Sequence, residues 1–293
     1  MLKPAGLTHG HYECRSLEET LPVFTELLAM KVVERGNKEA LVEHPNTAWR
    51  LVVHEAGAES GDKPHNNHYG VRVARADEID AAHRYLEANK ARYGLTRVTR
   101  PRAQHFARSV YFGEPGGNTL EIEYYDPQAA AEGRSIARAH WKRELSEAEF
   151  PGRGYVPQAL THGTLECNDK DAAAAFYRDV LGLEIAGGGR ISVYVKHPAT
   201  PWYIVVLPIK KRKKLLTPAN RFTLAMASPD ESGVDLPWPM ARTRSAQPAT
   251  RRSGPVPGPA WGSAEHQVRC ATGERDRPRR DPAGALVSGP VAR

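Results

Sequence analysis

The 293-residue chain has little cysteine: Cys14, Cys167 and Cys270 are an odd number without metal-ligand spacing. That argues against a disulfide framework and for a reducing, cytoplasmic setting. It also lacks any apolar run long enough to cross a bilayer, so no membrane partner is expected. The opening Met-Leu-Lys-Pro-Ala-Gly-Leu-Thr-His has no apolar stretch of the kind a signal peptide needs. Lysine disappears after Lys214 while arginine continues, so the formal charge of +7 is partly a property of the tail. A net charge placed this way is weak ground for a nucleic-acid partner, and none is expected.

What is present is self-similarity at a constant offset of 153 residues. Leu7-Thr8-His9-Gly10 recurs as Leu160-Thr161-His162-Gly163, and Glu13-Cys14 as Glu166-Cys167. His44-Pro45 and Trp49 recur as His197-Pro198 and Trp202, and Asp77-Glu78 as Asp230-Glu231. No gap is needed. After Glu231 the correspondence ends in a stretch rich in Pro, Arg, Ala and Gly. That composition buries too little apolar surface to offset chain entropy, so 232–293 is expected to be disordered. Its lysine-free, arginine-rich content resembles out-of-frame translation of GC-rich DNA.

Within the first copy, residues 7–14 alternate as a strand and 17–29 show helical spacing. Ala40–Val42 and Trp49–His54 read as strands. A second, similar unit follows: a strand at 67–73, a helix at 77–90, and strands near 108–112 and 119–125 around Glu114-Pro115-Gly116-Gly117-Asn118. The expected class is α+β, with paired βαβββ modules forming a half-open β-barrel with helices outside. The expected domains are 1–126, complete with two modules; 127–157, a helical linker; and 158–231, an incomplete second domain ending early in its fourth unit. A sheet left open in this way invites pairing between copies, so a homo-oligomer is expected.

Alternation sorts each strand into two faces. His9, His11 and Glu13 share one face of the first strand; His68, Gly70 and Arg72 share one face of the strand at 67–73; Glu121, Glu123 and Tyr125 share one face of the last. Two imidazoles and a carboxylate on such faces can form a facial triad, leaving open positions on a divalent metal for a bidentate substrate and dioxygen.

This arrangement resembles the vicinal-oxygen-chelate superfamily of glyoxalases, fosfomycin-resistance proteins and extradiol dioxygenases. The resemblance implies that His9 (in Leu-Thr-His), His68 (in Asn-His-Tyr-Gly-Val) and Glu121 (in Gly-Asn-Thr-Leu-Glu-Ile) hold the metal. The position where four-ligand isomerases carry an extra carboxylate or amide aligns with Arg50, which cannot ligate, favouring the three-ligand branch. His105, Val110-Tyr111, Glu114-Pro115-Gly116-Gly117 and Glu121 follow the order of the extradiol signature. His54 falls where those enzymes keep an acid/base histidine, suited to moving catechol protons by its near-neutral pKa. On the residues alone, His54 is equally an exposed strand-end histidine and Tyr111 a packed core tyrosine. The resemblance implies an Fe(II) or Mn(II) dioxygenase acting on a small aromatic diol with O2. Another metalloenzyme of the superfamily, an isomerase or thiol transferase, and a non-catalytic binding protein are the alternatives. The expectation stands on His9, His68 and Glu121 converging on one cation.

Overall fold

The computed structural model describes residues 2–57, 64, 66–104, 106–132, 141, 143–188, 191–209, 220–226 and 266–268. The first module is β1 (Pro4–Cys14), α1 (Leu17–Pro22), β2 (Lys31–Arg35), β3 (Glu39–His44) and β4 (Thr47–Glu55). α1 starts where the Ser16 side chain accepts from the Glu19 amide, with Glu18 and Glu19 in its positive first turn, and runs on as a π-helical turn over Val23–Leu27. The second module is β5 (His68–Arg72), α2 (Asp77–Ala88), β6 (Arg97–Val98), β7 (Arg102–Gln104), β8 (Ala107–Gly113) and β9 (Thr119–Tyr125). A short helix α3 (Pro127–Ala131) follows. The third module is β10 (Ala159–Cys167), α4 (Lys170–Ala175), β11 (Glu184–Gly188), β12 (Val193–Lys196) and β13 (Tyr203–Pro208). β14 (Asn220–Met226) opens the fourth unit, and β15 (His266–Val268) pairs with it. The expectation of disorder for 232–293 otherwise lies outside the described residues. Among those described, no helix is long and apolar enough to cross a membrane.

Among the described residues the strands form two open sheets and no closed barrel: β15-β14-β1-β4-β3-β2, and β11-β12-β13-β10-β5-β9-β8-β6 with β7 on β8. The modules therefore pair differently from the expected 1–126 unit. β1 lies between β4 of its own module and β14 of the fourth, whereas β5 lies between β9 and β10 of the third. Modules one and two, contiguous in sequence, sit on different sheets.

The apolar faces of these sheets meet. Tyr69 of β5 packs edge-on to Trp49 of β4 at 5.6 Å, and Trp49 stacks on Trp202 with planes 4° apart. Phe222 of β14 completes the cluster, 5.6 Å from Trp49. Here the 153-residue repeat gains a physical reason. A Cβ on Gly10 would lie 2.2 Å from the Tyr69 hydroxyl, and one on Gly163 would lie 2.5 Å from the Phe222 ring. These are one contact made twice, since each pair differs by the offset. In the same way His44 Nε2 donates to the Pro157 carbonyl at 3.1 Å, and His197 Nε2 to the Pro4 carbonyl at 2.9 Å. The two copies clasp each other reciprocally, as an isologous interface does.

Among the described residues of the segment expected as a helical linker, only Pro127–Ala131 is helical; 143–157 runs as turns and extended chain. Pro151, Gly152, Gly154 and Pro157 explain this, with both glycines at positive φ. The segment is a strap pinned into the core: the Tyr155 hydroxyl donates to the Leu27 carbonyl at 3.0 Å and the Val156 amide to Glu78 at 2.9 Å.

Candidate metal centre

Because Tyr69 faces the other sheet, its strand neighbours His68, Gly70 and Arg72 face outward. Likewise Gly10 meets Tyr69, so His9, His11 and Glu13 face outward from the other sheet. The histidines at 9 and 68 therefore look to opposite sides of the molecule, and the expected trio does not converge. His68 and Glu121 do come together: His68 Nε2 is 2.9 Å from Glu121 Oε2. The third member is His162 of β10, with Nε2 3.1 Å from Glu121 Oε2 and 3.3 Å from His68 Nε2. All three are buried, and they form the only group of metal-capable side chains this tight among the described residues.

Strand register explains the convergence. β5 runs parallel to β9, with Gly70 opposite Glu121, and antiparallel to β10, with His162 opposite Gly70. Gly70 is the hinge of the arrangement, since a Cβ there would lie 2.2 Å from His162 Cε1. Only a residue without a side chain lets the His162 ring cross β5 to reach Glu121.

The donor set fits a divalent cation. Ligands on perpendicular bonds of about 2.1 Å lie about 3.0 Å apart, close to the three separations here. Both imidazoles are held with Nε2 toward the common point. His68 Nδ1 donates to the Asn66 carbonyl at 2.7 Å, and His162 Nδ1 lies 3.3 Å from Glu123 Oε1. A histidine fixed by a carbonyl or carboxylate on its far nitrogen is the usual support of a metal ligand. Glu123 is itself held by Arg72 at 2.6 Å and by the Thr161 hydroxyl at 2.8 Å.

Electrostatics follow from this packing. Burial alone would raise the Glu121 carboxyl, but hydrogen bonds from His162 and His68 outweigh it and hold the group well below the usual carboxylate range. Burial would also raise Glu123, and the charges of Arg72 and His162 reverse that. His162, which burial would lower, is lifted to about 9 by Glu123 and Glu121. The cluster is thus a buried pocket in which the Glu121 carboxylate is held against two imidazoles, a donor set where a cation fits.

The other expected residues divide. Tyr111 is at the site: its ring stands edge-on to His68 at 5.4 Å, and its hydroxyl bonds to Glu121. Burial, then the Glu121 charge, push its pKa far up, so it stays a hydrogen-bond donor. His54 is not at the site. It lies on the outer face of the other sheet, where Nε2 is 2.7 Å from His11 Nδ1 and Nδ1 is 2.9 Å from Glu39 Oε1. His9 is beside them, its ring 4.9 Å from that of His11. His105 lies outside the described residues. His162 was visible in the sequence as the repeat partner of His9; Gly70 was the signal that something crosses β5.

The triad borders a cavity of about 310 Å³. Its wall includes Tyr111, Tyr194, Thr164, Val205, Arg97 and Arg102. Val205 has a particular place. It lies opposite Thr164, two residues beyond the partner of His162, as Glu121 lies two beyond the partner of His68. The position that mirrors Glu121 thus carries a side chain with no donor atom.

Residues 7–122 match the family model described as the Glyoxalase/Bleomycin resistance protein/Dioxygenase superfamily. The chain is also similar to several solved structures. A candidate dioxygenase from Bacillus subtilis is 14% identical, over 77% of this chain and 68% of its own, with a TM-score of 0.49. Glyoxalase I from Zea mays is 14% identical over 69% of this chain and 66% of its own, with a TM-score of 0.44. The fosfomycin resistance protein FosX from Listeria monocytogenes is 16% identical over 43% of this chain and 98% of its own, with a TM-score of 0.36. No curated protein matches the sequence.

Proposed function

We propose that the chain is a metal-dependent dioxygenase of the extradiol type, cleaving a catecholic ring with O2. The observation that carries this is a three-donor cluster, His68, Glu121 and His162, whose fourth, mirror-related position is Val205. Three protein ligands on one side leave adjacent positions open, as a facial triad does. A four-donor set would occupy more of them.

His68, Glu121 and His162 would hold Fe(II) or Mn(II), which when bound supplies neighbouring open positions where a diol and dioxygen can meet. The rest is done by the chain itself. Asn66 and Glu123 fix the two rings so that each Nε2 lone pair points inward. Arg72, stacked over Tyr125 at 4.7 Å, neutralises Glu123 and keeps it from competing for the cation. Tyr111, kept protonated, orients a substrate oxygen beside His68. Val205, Leu207 and Ile191 supply apolar wall for the ring. His105, which the extradiol signature brings to this role, joins the proposal as a second orienting group.

The test is oxygen uptake by the full chain, loaded anaerobically with Fe(II), across a panel of catechols. Uptake that requires ferrous iron and is abolished in His68→Ala is the expected result. A folded, iron-loaded sample that consumes no oxygen with any catechol contradicts it. Turnover with nickel or zinc and no oxygen would point to an isomerase or thiol transferase. Failure to bind metal would point to a non-catalytic binding protein.

A further inference from the structure

The two ligand histidines are braced from opposite modules. His162, on β10 of the third module, rests its far nitrogen against Glu123 of β9, in the second. His68, on β5 of the second module, donates from its far nitrogen to the Asn66 carbonyl at 2.7 Å. Asn66 is in turn held by a carboxylate of the third module. Glu166 Oε1, on β10, accepts from the Asn66 amide at 3.1 Å and from Asn66 Nδ2 at 2.9 Å. A return bond runs from the Glu166 amide to Asn67 Oδ1 at 3.0 Å. The β5–β10 ladder ends at the pair Tyr69–Gly163, so these bonds carry the pairing past its last backbone rung.

That extension matters to the metal centre because of tautomers. A neutral imidazole carries its proton on one nitrogen and a lone pair on the other. A carbonyl oxygen can only accept, so the Asn66 carbonyl selects the Nδ1–H form of His68. The lone pair is then left on Nε2, facing Glu121 and His162. Asn66 lies in the turn ahead of β5, outside any strand ladder, and Glu166 ties down both its amide and its side chain. The first copy supplies a contrast. At the offset of 153, Glu166 corresponds to Glu13 and Asn67 to Asn220, but Asn66 corresponds to Ala219 and His68 to Arg221. The glutamate stands in both copies; the asparagine it holds accompanies the ligand histidine and is missing where that histidine is missing.

We propose that Glu166 is a positioning residue of the metal centre: it clamps Asn66 from the third module and, through the Asn66 carbonyl, fixes the tautomer and aim of His68. This rests on the reading of His68, Glu121 and His162 as metal ligands and is independent of the reaction catalysed. Both Asn66 donors fall on one oxygen, Oε1, so the clamp needs an acceptor rather than a charge, and a glutamine carbonyl can serve.

Two quantities test this on the full chain: the Mn(II) dissociation constant, and the His68 tautomer in the metal-free protein, read from proton–nitrogen NMR spectra that distinguish the two ring nitrogens. Glu166→Ala is expected to weaken Mn(II) binding about 10- to 100-fold and to mix the tautomers of His68. Glu166→Gln should restore both to the values of the parent. Glu13→Ala, the same position in the other copy, should leave both unchanged. Asn66→Ala keeps the carbonyl and loses the Nδ2 bond, so it should move both quantities the same way by less; it decides the matter if Glu166→Ala does not fold. The proposal is overturned if Glu166→Ala binds Mn(II) as the parent does, or if it binds weakly with His68 still wholly in the Nδ1–H form. It is overturned equally if Glu166→Gln is as weak as Glu166→Ala. A parent whose His68 tautomer depends on Glu166 but which binds no Mn(II) would keep the clamp and sink the reading of the site as a metal centre.

Discussion

β1 and β10 are the same strand written twice, yet one helps build a metal centre and the other does not. Both carry Leu-Thr-His-Gly, both run parallel to the last strand of their own module, and both seat an aromatic ring on the glycine. They differ in what lies on the other side. β10 pairs with β5, which brings His68 and, one strand on, Glu121. β1 pairs with β14, where the residue 153 positions after His68 is Arg221. His9 therefore meets His11, whose ring stacks on His54, and its twin meets a carboxylate and a second imidazole. A ligand's fate is decided by the neighbour its strand receives, and the strand's own sequence is silent about that.

The largest effect is expected where the two copies are alike. Trp49→Ala removes the ring on which Trp202, Tyr69 and Phe222 converge and should cost about 3–5 kcal/mol in denaturant unfolding. Trp202→Ala should cost a similar amount if the clasp is reciprocal. A Trp49 variant as stable as the parent would mean that the sheets do not meet there.

Next comes a feature of the β10 side alone. Arg72→Met leaves Glu123 buried without its cation and should destabilise the protein by about 3–5 kcal/mol. It should also weaken metal binding, because Glu123 orients His162. Unchanged stability would show that the pair is solvated.

Acid should loosen the clasp. His44 is buried, accepts from the Asn46 amide at Nδ1 and donates from Nε2 to Pro157, so protonation breaks a bond, and burial lowers its pKa to about 4. The folded value lies below the ordinary 6.5, so its contribution is present above about pH 6.5 and is lost as pH falls toward 4, by about 3 kcal/mol. Melting temperatures across that window should fall less steeply in His44→Gln than in the parent. Equal slopes would remove His44 from the account.

The smallest change is expected for Tyr111→Phe, which removes one hydrogen bond at Glu121 and leaves the ring against His68. A several-fold rise in KM for a diol, with metal content unaltered, is the predicted result; loss of the metal would make Tyr111 part of the metal's support.

The local structure was largely legible in the sequence. Alternation marked β1, β5 and β9, the Asp77–Ala88 helix followed its apolar spacing, and the repeat announced the modules. His68, Glu121 and Tyr111 were readable because they lie on strands of one module, and register within a module follows from its short connections. Pairing between modules was not readable. His9 and His162 offer the same residues in the same pattern, so nothing local distinguishes them; the choice is made by long-range packing of Trp49, Tyr69, Trp202 and Phe222. Within the 127–157 segment expected as a helical linker, 143–157 is not helical, because Pro151, Gly152 and Gly154 decide the path.

The most direct test of the account is the metal content of two single variants of the full chain, His162→Ala and His9→Ala, loaded with Mn(II) and dialysed. The account predicts that His9→Ala keeps the metal of the parent, while His162→Ala binds it about 100-fold more weakly or worse. The opposite pattern, metal lost with His9 and kept without His162, would show that modules one and two close on each other and would contradict the pairing on which the site rests.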